Sequence, residues 1–119
     1  MNPRVISIDG QDYIPVTDKK AETFKGMEYK IIRTYSAGVF AGYVESRKGK
    51  EVVIRQARRL WYWKGAASLS QMAIDGVGSP DECKFPEAVD TILVIEAIEI
   101  IDVTEKARES IQGVKVWKK

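Results

Sequence analysis

Met27-Glu28-Tyr29-Lys30-Ile31-Ile32-Arg33-Thr34-Tyr35-Ser36 is the stretch that decides the fold. In an extended chain its side chains alternate: Tyr29, Ile31, Arg33 and Tyr35 on one face, Lys30, Ile32, Thr34 and Ser36 on the other. Aromatic and β-branched residues fit that pleated surface, so 27–36 is a strand. Working outward, Gly38 and Gly42 punctuate a second extended segment, 39–46. Glycine in a strand pattern marks a bulge, a bend or a close approach by another group. Arg47-Lys48-Gly49-Lys50 is a solvated hairpin turn, and 51–63 returns as the partner strand. Its alternation breaks at Arg58-Arg59, where a bulge fits.

Lys64-Gly65 then turns the chain into a helix predicted over 66–75. Leu69, Met72 and Ala73 form its apolar stripe, Ser68 and Gln71 have capping-box spacing, and Gly76 closes it. Ser79-Pro80-Asp81-Glu82 starts a further turn that Pro86 cuts short. Thr91 to Val103 is apolar on both faces, which predicts a central strand covered on both sides. Glu96 and Glu99 fall on opposite faces of it and conflict with that placement. Thr104 caps a short helix over 105–112, ended by Gly113, and the tail from Val114 to Lys119 has the pattern of an edge strand. Before the body, Val5 to Val16 reads as a β-hairpin turning at Asp9-Gly10, with Pro15 confining its strand to an edge. Residues 17–26 read as a linker with room for one helical turn.

The expected architecture is therefore α+β. A curved, mainly antiparallel sheet from 27–36, 39–46, 51–63 and 91–103 carries one main helix and a short C-terminal helix. The chain divides into a hairpin arm and linker, 1–26, and one α+β domain, 27–119. A two-stranded hairpin is marginal alone in water. It and the strand-like tail around Trp117 need a partner surface, which predicts a homo-oligomer.

Composition excludes several functions. The 119 residues are 45 % hydrophobic and 30 % charged, with a net charge of +2. That is ordinary for a globular domain and too small for general nucleic-acid binding. There is no histidine and one cysteine, Cys83. Serine–histidine and cysteine–histidine nucleophile systems are thus impossible, and so is a zinc cluster of cysteines. The expected protein is not an enzyme and takes no cofactor or metal. The N-terminus lacks the apolar stretch of a signal peptide, and Thr91 to Ile101 is too short to span a bilayer. The cytoplasm, without a membrane partner, fits best.

The candidate ligand residues cluster between Tyr35 and Ser68. Arg58, Arg59, Trp61 and Lys64 combine guanidinium and aromatic groups, which suit phosphates and flat rings. In a strand Trp61 and Trp63 share a face with Arg59, while Arg58 points to the other. Gly65, ahead of a helix start, offers backbone N–H groups to an anion, with Ser68 adding a hydroxyl. Tyr35 opens a small-residue segment, Tyr35 to Tyr43, that admits close approach by a ligand. The same residues also serve a bland reading: tryptophans in a core, arginines solvated, glycine at an ordinary turn. Asp75, Asp81, Glu82, Glu87 and Asp90 match no calcium loop and read as solvated charge. Cys83 has only Lys84 near it in sequence and reads as a structural thiol.

The strings from Arg33 through Tyr43, Gly49 to Val53 and Ala57 to Trp63 resemble a family of small bacteriophage and prophage proteins of unknown function. The resemblance continues through Gly65 to Gln71, Cys83 to Pro86 and Thr104 to Ala107. It covers residues 30 to 117 and transfers no catalytic residue. It implies a phage accessory protein acting in the host bacterial cytoplasm. Joined to the arginine–aromatic cluster, it suggests sequestration of a small anionic, nucleotide-like host immune signal. Inhibition of a host protein, a virion or assembly role and a nucleic-acid-binding module are the alternatives.

Overall fold

A computed structural model describes residues 19–118, together with the backbone of two short strands, β1 (Ile6–Ile8) and β2 (Gln11–Tyr13). These two pair antiparallel with each other, as the hairpin reading expects, and stand apart from the main sheet. The main sheet contains β3 (Glu28–Thr34), β4 (Val39–Lys48), β5 (Glu51–Arg59), β6 (Val89–Val94) and β7 (Ala97–Asp102). Its order is β6-β5-β4-β3-β7, and every neighbouring pair is antiparallel. Two helices, α1 (Leu69–Asp75) and α2 (Glu105–Gly113), complete an α+β fold.

The segment 91–103 is not the central strand its composition suggests. It breaks at Ile95 and Glu96 into two edge strands, β6 and β7, at opposite ends of the sheet. Flat, five strands would set those edges about 19 Å apart, while the two-residue link spans at most about 11 Å between Val94 and Ala97. The sheet must therefore curl. Ala97 N–H donates to Lys50 O at 3.0 Å and Tyr35 N–H to Glu96 O at 2.9 Å, which fastens the link across the sheet end. The two acids that conflicted with a covered strand mark this rearrangement. Glu96 accepts from Ser36 Oγ at 2.6 Å in the break, and Glu99 pairs with Arg33 at 2.6 Å. As an edge, β6 leaves Val89 and Leu93 exposed, and Ile95 is exposed in the break.

The curl gives the sheet two cores. Ile32, Phe40, Val52, Ile54, Ala57 and Val94 fill the inside of the curl. On the other face Tyr29, Ile31, Ala41 and Tyr43 pack under Met72, Ala73, Ala107 and Ile111 of the helices. Bulges help the bend. The β4–β5 register shifts between Ala41 and Tyr43 and again between Val44 and Ser46. The first bulge lies just upstream of the arginine pair, at Gln56, whose φ is +51°. Gly42 sits opposite it because a Cβ there would lie 2.5 Å from Ile54 Cγ2 and 2.9 Å from Arg55 O.

The helices keep their expected caps. Ser68 Oγ accepts from Gln71 N–H at 3.1 Å, and Gln71 Oε1 accepts from Ala67 N–H at 2.8 Å. These bonds start α1 at Leu69, later than 66. Thr104 Oγ1 accepts from Ala107 N–H at the start of α2. Pro80–Glu82 forms the single expected turn, of 3-10 type. The tail contributes one parallel bridge, Phe85 to Val116, in place of a strand. Residues 19–26 contain no helical turn. Lys20 bridges Thr104, Ala21 is buried, and Phe24 and Met27 exchange backbone bonds across a tight turn. This part of the linker thus packs on the body; residues 14–18 lie outside the described set.

Glu105 ties that segment to α2. Its carboxylate accepts from Arg108 and from Glu22 N–H. The Arg108 guanidinium, assisted by that N–H, holds its pKa down at about 2 from an ordinary 4.5. A folded-state pKa below the unfolded one stabilises the protein above pH 4.5, and the contribution fades as pH falls toward 2. The stability gap between the parent protein and Glu105→Gln is therefore expected to be full at neutral pH and to close below about pH 4.5. Thermal denaturation across the acid range checks this, and a gap constant down to about pH 2.5 rules it out.

Candidate functional site

The strand parity read from the sequence sorts the arginines onto opposite faces. Arg59 faces Phe40, with its guanidinium 4.4 Å from the ring centroid and donating to Ala37 O. Its charge has no carboxylate partner among the described residues. Beyond β5, Leu60 N–H still bonds Val39 O at 2.8 Å, which carries the pairing on toward the aromatic run. The strand ends at Arg59, short of the expected 63, so Trp61 and Trp63 lie beyond it; they and Arg59 nevertheless line one pocket of about 290 Å³, with Ser36, Ala37, Gly38 and Val39. Trp61 is 65 % exposed, so the core reading fails for this ring. Trp63 is half-buried against the helix-side core. Tyr35 is not among the lining residues and is 77 % exposed.

Arg58 points the other way and is only 6 % exposed. Nε donates to Pro86 O at 2.9 Å, Nη1 to Ile111 O at 2.8 Å and Nη2 to Phe85 O at 3.1 Å. Burial lowers its pKa, partly offset by the nearby Tyr29 hydroxyl. It also supplies the cation that the last turn of α2 lacks in its own sequence. It cannot share a ligand with Arg59 across the sheet.

The other candidates are engaged elsewhere. Lys64 Nζ bonds Glu82 at 3.1 Å, which raises its pKa. Gly65 lies four residues before α1 and accepts from Gly78 N–H at 3.0 Å through its carbonyl. Ser68 is occupied by its cap. The anion cradle at 65–68 is therefore not assembled beside the pocket. Three of the five loop acids are likewise engaged: Asp75 with Lys106, Glu82 with Lys64 and Asp90 with Arg55. Cys83 is buried, its sulfur near Lys64 N and Ser79 O. No cluster of metal-ligating side chains occurs among the described residues.

Chemically, the pocket offers an unpaired guanidinium, an exposed indole and a wall of small residues. The small-residue segment after Tyr35 signalled this wall in the sequence. A curled five-stranded antiparallel sheet with helices on one face and this arginine–tryptophan pocket defines the class of the domain. Residues 27–111 match the family model of DUF6948, a domain of unknown function, and the chain belongs to that family. No curated protein and no solved structure matches it. Among the described residues no helix is long and apolar enough to cross a membrane.

Proposed function

We propose that this domain binds a small anionic ligand carrying a flat ring and does not transform it. The observation that carries the reading is the convergence of Arg59, Trp61 and Trp63 on one pocket. Arg59 holds the anionic group, since its guanidinium is tethered by one described bond and retains free N–H donors. Trp61 provides the stacking face. A volume of about 290 Å³ lies at the small end of ligand pockets, so it seats one nucleotide unit. With the resemblance to phage proteins, the reading is a phage accessory protein that withdraws a host nucleotide immune signal in the host cytoplasm.

Calorimetry of the full chain against cyclic mono- and dinucleotides and ADP-ribose derivatives tests this. Trp61→Ala, on a mostly exposed side chain, is expected to leave the fold intact and weaken binding by about 1–3 kcal/mol. Arg59→Ala is expected to weaken anionic ligands most. No binding across the panel, together with co-purification of a host protein, replaces this reading with direct inhibition of that protein.

A further inference from the structure

We propose that a second cavity, on the helix side of the sheet with Arg58 in its wall, binds a small organic monoanion with an aromatic body. The cavity has a volume of about 520 Å³ and is lined by Tyr29, Tyr43, Gln56, Arg58 and Gln112, with Glu87 also in its wall. It shares no residue with the Arg59 pocket, so the two sites stand or fall separately.

Four observations converge on it. Arg58 is more than nine-tenths buried, and no described carboxylate pairs with it. Three of its N–H groups go to carbonyls, leaving two of the five donors of a guanidinium for a ligand. Gln56 holds a left-handed φ of +51°, which is unfavourable for a residue with a Cβ. That bulge places Gln56, an exposed side chain, at the cavity wall. Gln112 Nε2 donates to Tyr43 Oη at 3.2 Å, leaving the tyrosine hydroxyl free to donate. Phe24 and Tyr29 stand 5.4 and 5.0 Å from the Tyr43 ring, forming an aromatic wall.

The charge count selects the anion. Arg58 carries the positive charge that no described carboxylate pairs, and the exposed Glu87 in the same wall disfavours a ligand with a second negative charge. The two remaining guanidinium donors match the two oxygens of a carboxylate, and its single charge suits the site better than a phosphate dianion does. The ligand class is therefore an aromatic carboxylate.

Backbone NMR of the full chain titrated with benzoate, benzamide and phenyl phosphate tests this. Benzoate is expected to shift the Gln56, Ala88 and Gln112 amides, with benzamide about tenfold weaker for want of the charge and phenyl phosphate weaker than benzoate. Ala88→Trp, at an exposed position of the cavity wall, is expected to abolish the benzoate shifts. Arg59→Ala is expected to leave them unchanged. Equal response to benzoate and benzamide, stronger binding of phenyl phosphate, persistence in Ala88→Trp, or shifts confined to the Trp61 and Trp63 indoles would overturn the proposal.

Discussion

Arg58→Ala is expected to lower the melting temperature by roughly 10–25 °C, the equivalent of about 3–5 kcal/mol in a domain of this size. The guanidinium is the one donor group that reaches the carbonyls of Phe85, Pro86 and Ile111 together. Deleting it opens a buried void and takes from Pro86 O its described donor, while Phe85 O keeps Trp117 N–H at 3.0 Å and Ile111 O keeps Val114 N–H at 3.3 Å. The unsatisfied carbonyl costs about 1–3 kcal/mol, and the lost packing adds to it. It also removes the cation beside the Phe85 ring, 5.5 Å from its centroid. Because β5, the 85–86 loop and α2 meet at this side chain, the loss is global. Arg58→Lys keeps the charge but offers a compact ammonium where a planar fork is needed, so it is expected to fall between parent and alanine. Arg58→Met fills the volume without donors and is expected to lie near alanine. Thermal denaturation followed by circular dichroism reads all three. A methionine variant as stable as the parent would show that packing, and not donation, is what Arg58 supplies.

The body of the sheet was legible because its signals are local. The alternation of 27–36, the Gly49–Lys50 turn and the caps at Ser68 and Thr104 each depend on residues a few positions apart. The division of 91–103 was not legible from apolarity. β6 has one face against the inside of the curl, through Ile92 and Val94, and exposes Val89 and Leu93, whereas β7 packs Ile100 on that core and Ile101 on the helix-side core and exposes Ile98. A strand covered on both sides would give a similar pattern. The signal that could have separated them was the pair Glu96 and Glu99, whose charges need the solvent and partners that an edge provides.

The candidate site was half legible for a related reason. Strand parity separated Arg58 from Arg59, but β5 ends at Arg59, so the meeting of Arg59 with Trp61 and Trp63 depends on the path of the chain beyond the strand. Whether each arginine was free depended on long-range partners. Arg58 meets Ile111, more than fifty residues away, and Lys64 meets Glu82 across a loop. The cavity around Gln56 and Gln112 was invisible for the same cause, since glutamine carries no motif and the bulge that places Gln56 at the cavity wall appears only once register is known.

Gly65→Ala distinguishes a structural glycine from an anion-binding one, and the expected result is structural. Gly65 has φ +89°, where an L side chain is strained. An added Cβ would lie 2.5 Å from Gly78 N and 2.7 Å from Gly78 Cα. Those are backbone atoms, so no rotamer change relieves the contact. Strain of about 1–3 kcal/mol at a left-handed position adds to about 1–3 kcal/mol for forcing packed segments apart. A loss of about 2–6 kcal/mol is expected, read as a lower urea midpoint with an unchanged slope. The bond from Gly78 N–H to Gly65 O is expected to break with it, freeing the loop after α1 from the turn before it. Gly78→Ala is the matched control. Its Cβ would sit 3.3 Å from Gly65 O and 3.7 Å from Gly65 Cα, so a loss below about 1 kcal/mol is expected. An anion cradle at Gly65 makes the reverse prediction: ligand affinity falls while the urea midpoint stays within error. Because Gly65 already packs against Gly78, the midpoint is the quantity expected to move, and folded Gly65→Ala protein is expected to bind at the Arg59 pocket with near-parent affinity.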